Sequence, residues 1–448
     1  MSTLPLITHH DPDGIVAWCD SLPVSASRFL GEVDRIADLL PPGRHALNLC
    51  VNRYRFTVAL AACILNGQVS LLPSTYTQEM IRQMRRIAPD AFCIADQDVD
   101  GIDLPLFHYP SGEGSLTDTA IPDIDCDQLI AYVFTSGSTG TPVPHVKRWG
   151  SLARNARREA ARFGISHGYS LVGTVPAQHM YGLESTVMMP LQCGGSLYAT
   201  RPFYPADICA ALAALPHPRA LVTTPYHLRT LLAEQAFLPT LDLLLSATAP
   251  LSQELAAEAE ARFRAPLFEI YGCTETGLIA SRRTTSGATW ETFAGIQLHC
   301  ESEAIWAQGG DIEATTPLCD VIELIELDPT RFLLQGRHAD VVNIAGKRTS
   351  LGYLNHQLNA IPGVRDGIFL LPPDDEKDRE GVRRLIALVV APGLMPDTLM
   401  QALRERIDPV FLPRPLLFAD NLPRNAVGKL SDQAKQTFLA RLGPLTAH

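Results

Sequence analysis

Residues 135–140 read TSGSTG, directly after the apolar strand-like run LIAYVF at 129–134 and just before Pro142. A glycine-hinged, hydroxyl-rich loop therefore sits at the carboxyl end of an expected strand. Gly137 and Gly140 permit the φ > 0 turns and close backbone approach that a nest of N–H donors requires. Thr135, Ser136, Ser138 and Thr139 add hydroxyls around the same space. The chemistry suited to such a loop is the cradling of a phosphate. No Gly-Lys-Ser/Thr closes it, so it is not a Walker A loop. On composition alone it could also be a surface linker.

Three further stretches follow in order: EIYGCTETG at 269–277, GRHADVVNIAGKR at 336–348 and LPRNAVGKL at 422–430. Together with TSGSTG they resemble the adenylate-forming (ANL) superfamily, which comprises acyl- and aryl-CoA synthetases, peptide-synthetase adenylation domains and beetle luciferases. The resemblance runs from about residue 51 to 430. Within the superfamily, HADVVNIAGKRTSL and the compact length look most like the stand-alone AMP-ligases of xanthomonadin and aryl polyene pigment clusters.

The resemblance implies an ATP site. TSGSTG would grip the β- and γ-phosphates, Thr274 would offer a hydroxyl to the α-phosphate, Glu275 would ligate Mg²⁺ as a hard oxygen donor, and Tyr271, followed by Gly272, would stack on adenine. Asp320 matches the aspartate that holds the ribose hydroxyls, although Leu318 and Cys319 replace the usual Thr-Gly before it. Arg337 would reach the ribose or phosphates, and Arg348 resembles a lid arginine that approaches a phosphate. Lys429 matches the catalytic lysine, whose ammonium would bridge the attacking carboxylate and the α-phosphate as charge develops.

This sequence departs from the family pattern at two places. The phosphate loop usually continues Gly-x-Pro-Lys, whereas Val143 follows Pro142 here. Lys147 lies four residues on, and two readings of it are open: a substitute charge for the phosphates, or a surface lysine. The usual hinge aspartate is replaced by Ala339, with Asp340 beside it, so either could be the pivot.

For the acid, PAQHMYGLE at 176–184 resembles the segment in which an aromatic or histidine gates the substrate, which makes His179 the candidate gate. Tyr181, Thr224, Tyr226, Thr248 and Cys273 are the expected pocket lining. Thr248 stands where relatives commonly have glycine, and its bulk would shorten the pocket in favour of an aryl acid.

The elements that must position these residues are legible as alternation. Apolar runs of strand length (HALNLCV, VSLLP, AFCIA, LIAYVFT, SLVGTVP, ALVTTP, LDLLLSATAP, PLFEIYG) interleave with helical patterns such as SLARNARREAARFGI. This predicts an α/β fold, with a large N-terminal domain of parallel-rich sheets flanked by helices. Ligands then bind outside the carboxyl ends of the strands, where TSGSTG and YGCTETG both fall. Beyond residue 336 shorter strands (VVNIAG, GIFLLPP, LIALVVAP) and the helix MPDTLMQALRERI suggest a small mobile α+β lid. The expected division is an adenylation core at 1–336 and a lid at 337–448. PPDDEKDREG at 372–381 reads as a charged turn within the lid.

At 448 residues two domains are the default. A net charge of −11 and the absence of a Lys/Arg run argue against nucleic acid. Arg154, Arg157 and Arg158 at helical spacing read as a solvated helix face. The ten cysteines show no CxxC and no zinc spacing. No segment approaches the ~18 apolar residues of a membrane span, and the N-terminus lacks a signal-like pattern. The expectation is a cytoplasmic ligase with reduced cysteines. It would join a carboxylic acid, through its adenylate, to a thiol on an acyl carrier protein or CoA. The competing reading is a non-catalytic nucleotide or acyl-AMP-binding module, motivated by the missing loop lysine.

Overall fold

The computed structural model describes residues 2–73, 78–99, 101–112, 120–136, 142–234, 238–301, 304–337, 341–344, 347–371, 384–424 and 430. Its apolar strand runs build two large sheets. A six-stranded sheet is ordered Pro142–Arg148, Leu129–Ser136, Val69–Leu72, His45–Asn48, Phe92–Ala95 and Leu106–His108. All its pairings are parallel except the first, where the strands flanking the TSGSTG loop form an antiparallel hairpin.

The second sheet has eleven strands. Its centre is parallel: Leu267–Cys273, Leu243–Ser246, Arg219–Thr223, Ser170–Gly173, Ser196–Tyr198 and Ile15–Cys19 lie side by side. These central strands are buried on both faces, which is why they read as continuous apolar runs rather than alternating ones. Past Leu267–Cys273 the sheet turns antiparallel through Gly277–Arg283, Thr289–Thr292, Arg331–Arg337 and Asp320–Leu324. The expected α/β class with helix-flanked parallel-rich sheets is therefore what the chain adopts. The turn at 274–276, however, lies where a parallel strand hands over to an antiparallel one, and the strands on either side of residues 137–141 are likewise paired antiparallel.

A buried arginine ties the two sheets together from the helix that follows His45–Asn48. Arg53 opens the helix Arg53–Leu65 and is fully buried. Its guanidinium donates to the carbonyls of Gly173 (3.0 Å), Val175 (2.7 Å), Tyr198 (3.4 Å) and Thr200 (3.3 Å), all at the carboxyl edge of the eleven-stranded sheet. Burial lowers its pKa to about 9. A planar five-donor fork suits four carbonyls in a way a lysine does not.

The helix Trp149–Phe163 ends at Gly164, which takes the left-handed conformation (φ 67°) of a helix C-cap. The expectation of a solvated arginine face on this helix is not met. Arg154 and Arg158 both bind Asp311, the former at 2.5 Å, and Arg157 donates twice to Gln192, at 3.0 and 2.8 Å. Their partners are distant in sequence, so helical spacing carried no sign of them.

After residue 341 the described strands are short: Val341–Ile344 with Lys347–Ser350, and Asp366–Leu370 with Ile386–Val390 and Leu416–Phe418. Two apolar clusters are built only from residues of this region, one around Leu354, Phe369 and Leu399 and the other around Ile368, Leu388 and Leu422. The helix expected at MPDTLMQALRERI is present as Pro396–Arg404. The charged turn at 372–381 and the segment beyond 430 lie outside the described residues. No described helix is long and apolar enough to cross a membrane, and all ten cysteines are free of disulfides.

Candidate active site

The turn of residues 274–276 joins Leu267–Cys273 to Gly277–Arg283 and presents Thr274 and Glu275 at its tip. Two glycines allow it. Gly272 lies at an irregularity in the pairing, where an added Cβ would come within 2.4 Å of the Gly277 carbonyl oxygen. Gly277 sits at φ 77°. The glutamate side chain is 40% exposed, leaving carboxylate oxygen open to an incoming ion. His145 Nε2 stands 3.6 Å from Glu275 Oε1. Burial lowers the His145 pKa, Glu275 opposes that, and Lys147 pushes in the same direction as burial.

Lys147 resolves differently from either sequence reading. It is neither on the surface nor free to follow the phosphates: its side chain is buried. Its Nζ donates to the carbonyl of Thr274 at 2.6 Å and approaches that of Glu275 at 3.4 Å. The strand Pro142–Arg148 from the six-stranded sheet thus meets the turn from the eleven-stranded one. Val143, in the place of the usual loop lysine, is an exposed apolar residue.

On the other side of the turn the Tyr271 hydroxyl donates to Asp320 Oδ2 at 2.6 Å. The tyrosine ring is largely buried, edge-on to Trp290 and Phe332. Asp320 opens its strand directly opposite Arg337 in the ladder. Tyr271 and Asp320, both expected around a nucleoside, therefore meet through their side chains, and Arg337 stands opposite Asp320 in the ladder.

The other expected site residues fall as follows. Thr135 and Ser136 end the strand Leu129–Ser136, paired with Val143 and Pro142. Gly137, Ser138, Thr139, Gly140, Ala339, Asp340 and Lys429 lie outside the described residues. Arg348 lies on Lys347–Ser350 opposite Asn343. His179 caps the short helix Met180–Leu183, its Nδ1 accepting from the Tyr181 N–H at 3.3 Å. Tyr181 is buried, and Tyr226 packs edge-on to His227.

Thr224 is a buried helix cap whose hydroxyl lies 2.9 Å from His227 Nδ1. Burial, reinforced by Arg201, pushes His227 down to about 4. Cys273 lies 3.0 Å from the Thr276 hydroxyl, and burial pushes its thiol up to about 11. Thr248 holds φ 80°, a left-handed backbone that a β-branched residue rarely adopts.

Several residues around the site carried no sequence signal. Beneath the turn lie Glu159 and Glu184, both fully buried. Burial pushes Glu159 up to about 8 and Glu184 to about 7, the latter opposed by Lys147. Ser185 donates to Glu159 at 2.5 Å. Glu184 begins a π-helix, Glu184–Met188, that continues from Met180–Leu183. Such π-turns recur at functional sites. Each contact here spans dozens of residues of sequence, so no local pattern announces it.

The family model described as AMP-binding enzyme matches residues 32–304. The chain is 31% identical over 304 residues to a 4-coumarate–CoA ligase of Rhodobacter capsulatus, covering 66% of this chain and 74% of that one. It is 23% identical over 377 residues to a 3-hydroxybenzoate/4-hydroxybenzoate–CoA ligase of Thauera aromatica, covering 72% of this chain and 68% of that one. In fold it is similar to ATP-bound MatB from Rhodopseudomonas palustris, with a TM-score of 0.80, 19% identity and 97% of each chain covered. It is likewise similar to the anthranilate CoA ligase AuaEII in complex with anthranoyl-AMP, with a TM-score of 0.79, 12% identity and 98% of each chain covered. The non-catalytic reading gives way here: the chain belongs to the AMP-binding enzyme family and is an AMP-forming acid–thiol ligase.

Proposed function

We propose that this ligase activates a hydroxybenzoate-type aryl acid and delivers it to the phosphopantetheine thiol of an acyl carrier protein, in the cytoplasm and in the service of pigment biosynthesis. The observation that carries the nucleotide site is the Tyr271–Asp320 hydrogen bond, with Arg337 opposite in the ladder and Glu275 exposed two strands away. The acid's carboxylate oxygen bonds to the α-phosphorus of ATP as the bond to pyrophosphate breaks, giving acyl-AMP. The thiol sulfur then attacks the acyl carbon, and AMP leaves. An aryl substrate is supported by relatives named for coumarate and hydroxybenzoates, and by the side chain at Thr248 where a glycine would leave more room.

Residues 1–336 form the adenylation core in this reading, and residues 337–448 a lid that swings near Ala339 or Asp340 and brings Lys429 to the α-phosphate. Arg348 approaches a phosphate from the lid. The residues present fit Mg²⁺. Among the described residues no three His, Cys, Asp or Glu side chains converge to hold a metal, so an ion at Glu275 would draw its other ligands from phosphate and water, as Mg²⁺ commonly does. Such an ion would neutralise phosphate charge.

ATP–pyrophosphate exchange over benzoates, cinnamates and fatty acids tests the first half-reaction. Exchange confined to aryl acids, and reduced on the order of 10²–10³-fold in Lys429→Ala, is the expected result. A fatty acid preferred over every aryl acid would overturn it. CoA is the second reading for the acceptor, because the relatives are named as CoA ligases. Comparing kcat/KM for CoA and for a phosphopantetheinylated carrier protein decides between them.

A further inference from the structure

The turn that carries Thr274 and Glu275 is held from beneath by two buried charges of opposite sign. Lys147 grips the carbonyls of Thr274 and Glu275, at 2.6 and 3.4 Å. Glu184 lies against the far end of the turn: a Cβ on Gly277 would stand 2.7 Å from its Oε1, and the Leu278 N–H hydrogen-bonds its carboxyl. The Asn155 amide approaches the same oxygen at 3.5 Å. Each charge favours the ionised form of the other, against the burial that opposes both.

Removing an ammonium and a carboxylate from water costs several kcal/mol, and an apolar pair would fill this space without that cost. The return is geometric. Turn carbonyls cannot be satisfied by a ladder, and a three-donor ammonium fixes two of them at once. Lys147 is on the strand leaving the phosphate loop, and Glu184 opens the π-helix that follows the His179–Tyr181 segment. The pair therefore registers three sequence-distant motifs against one another.

We propose that Lys147 and Glu184 are positioning residues for adenylation, two buried side chains gripping opposite ends of one turn, which set where the Glu275 carboxylate and Thr274 hydroxyl project. The lysine missing from the phosphate loop has a counterpart four residues along the strand that acts on the protein's own turn and not on the nucleotide. The inference rests on the reading of Glu275 and Thr274 given above. A displacement of about 1 Å at such a site costs up to about 100-fold in rate.

The test compares Lys147→Met, Glu184→Gln, Glu275→Gln and the Lys147→Met/Glu275→Gln double variant in the full chain. Amide hydrogen exchange over residues 270–279 reads the clamp without reference to activity. Lys147→Met and Glu184→Gln should each raise exchange there by at least about tenfold, with the strands Arg219–Thr223 and Leu243–Ser246 unchanged. In pyrophosphate exchange, Lys147→Met should lower kcat by about 10–100-fold with little change in the KM for the acid. The double variant should lose clearly less than the product of the two single losses, because the lysine acts through the turn that carries Glu275. Unchanged protection of the turn, or a double variant slower by the product of the two single losses, overturns the proposal. Glu184→Gln keeps the shape of the site and decides the question if Lys147→Met does not accumulate. Absence of exchange activity in the unaltered protein would instead overturn the proposed function, and the amide measurement would still decide the clamp.

Discussion

Thr248 shows what one residue can hold. It lies just past the carboxyl end of Leu243–Ser246 at φ 80°, and a β-branched side chain there costs about 1–3 kcal/mol. Glycine would remove that strain and give back about 0.5–1 kcal/mol in unfolded-chain entropy. Thr248→Gly should therefore raise stability by about 1 kcal/mol, read as a higher urea midpoint with an unchanged m-value. A lower midpoint would mean that the threonine side chain is worth more than its backbone strain. Were the proposed pocket assignment right, the same variant would also accept bulkier acids.

At the scale of elements, the helix Trp149–Phe163 buries Glu159 against the π-helix, and the pKa of about 8 has a definite consequence. The folded state binds this proton up to about pH 8, whereas the unfolded chain releases it near 4.5. The stability contributed by the protonated acid is complete below about 4.5 and is lost as pH rises through 8. Glu159→Gln should flatten that decline, on the order of 3 kcal/mol between pH 5 and 8 in urea unfolding. The acid limb should remain. His227, neutral and held at about 4, costs stability as pH falls from about 6.5 towards 4. Equal slopes in both proteins from pH 5 to 8 would show that Glu159 does not titrate as its surroundings require.

These same elements mark what sequence could and could not reveal. Runs such as SLVG, RALVT and LLLS were legible because strands buried on both faces must be apolar throughout. Tyr271, Gly272, Thr274 and Glu275 could be singled out together because their motif is short and its parts adjoin, whereas Asp320, 49 residues beyond Tyr271, meets them only through a hydrogen bond. The buried places of Lys147, Glu159 and Glu184 had no such sign, because local sequence does not show what covers a charged residue. What buries each of them is a contact 26 or more residues away, as with Ser185 on Glu159 and Thr274 on Lys147. The arginines at 154, 157 and 158 misled for the same reason, their partners lying 35 to 157 residues off.

For the whole molecule, the relation between the two large sheets depends on Arg53. Replacing it with alanine leaves four carbonyls at the sheet edge without their donor, three of them in a buried setting at about 1–3 kcal/mol each. Arg53→Ala should lower stability by more than about 3 kcal/mol, seen as a large fall in the thermal unfolding midpoint or as failure to accumulate in soluble form. A loss under about 1 kcal/mol would mean that the sheets dock without it.

Because Arg53 holds main-chain oxygens and not side chains, its grip is indifferent to what residues 175, 198 and 200 are. Only at Gly173, where a Cβ would come within 2.8 Å of the guanidinium, is the residue type fixed by the staple. The edge of the eleven-stranded sheet can therefore change its side chains at these positions by mutation while the main-chain bonds to Arg53 stay the same. Divergence in side chains along this edge is decoupled from divergence in architecture.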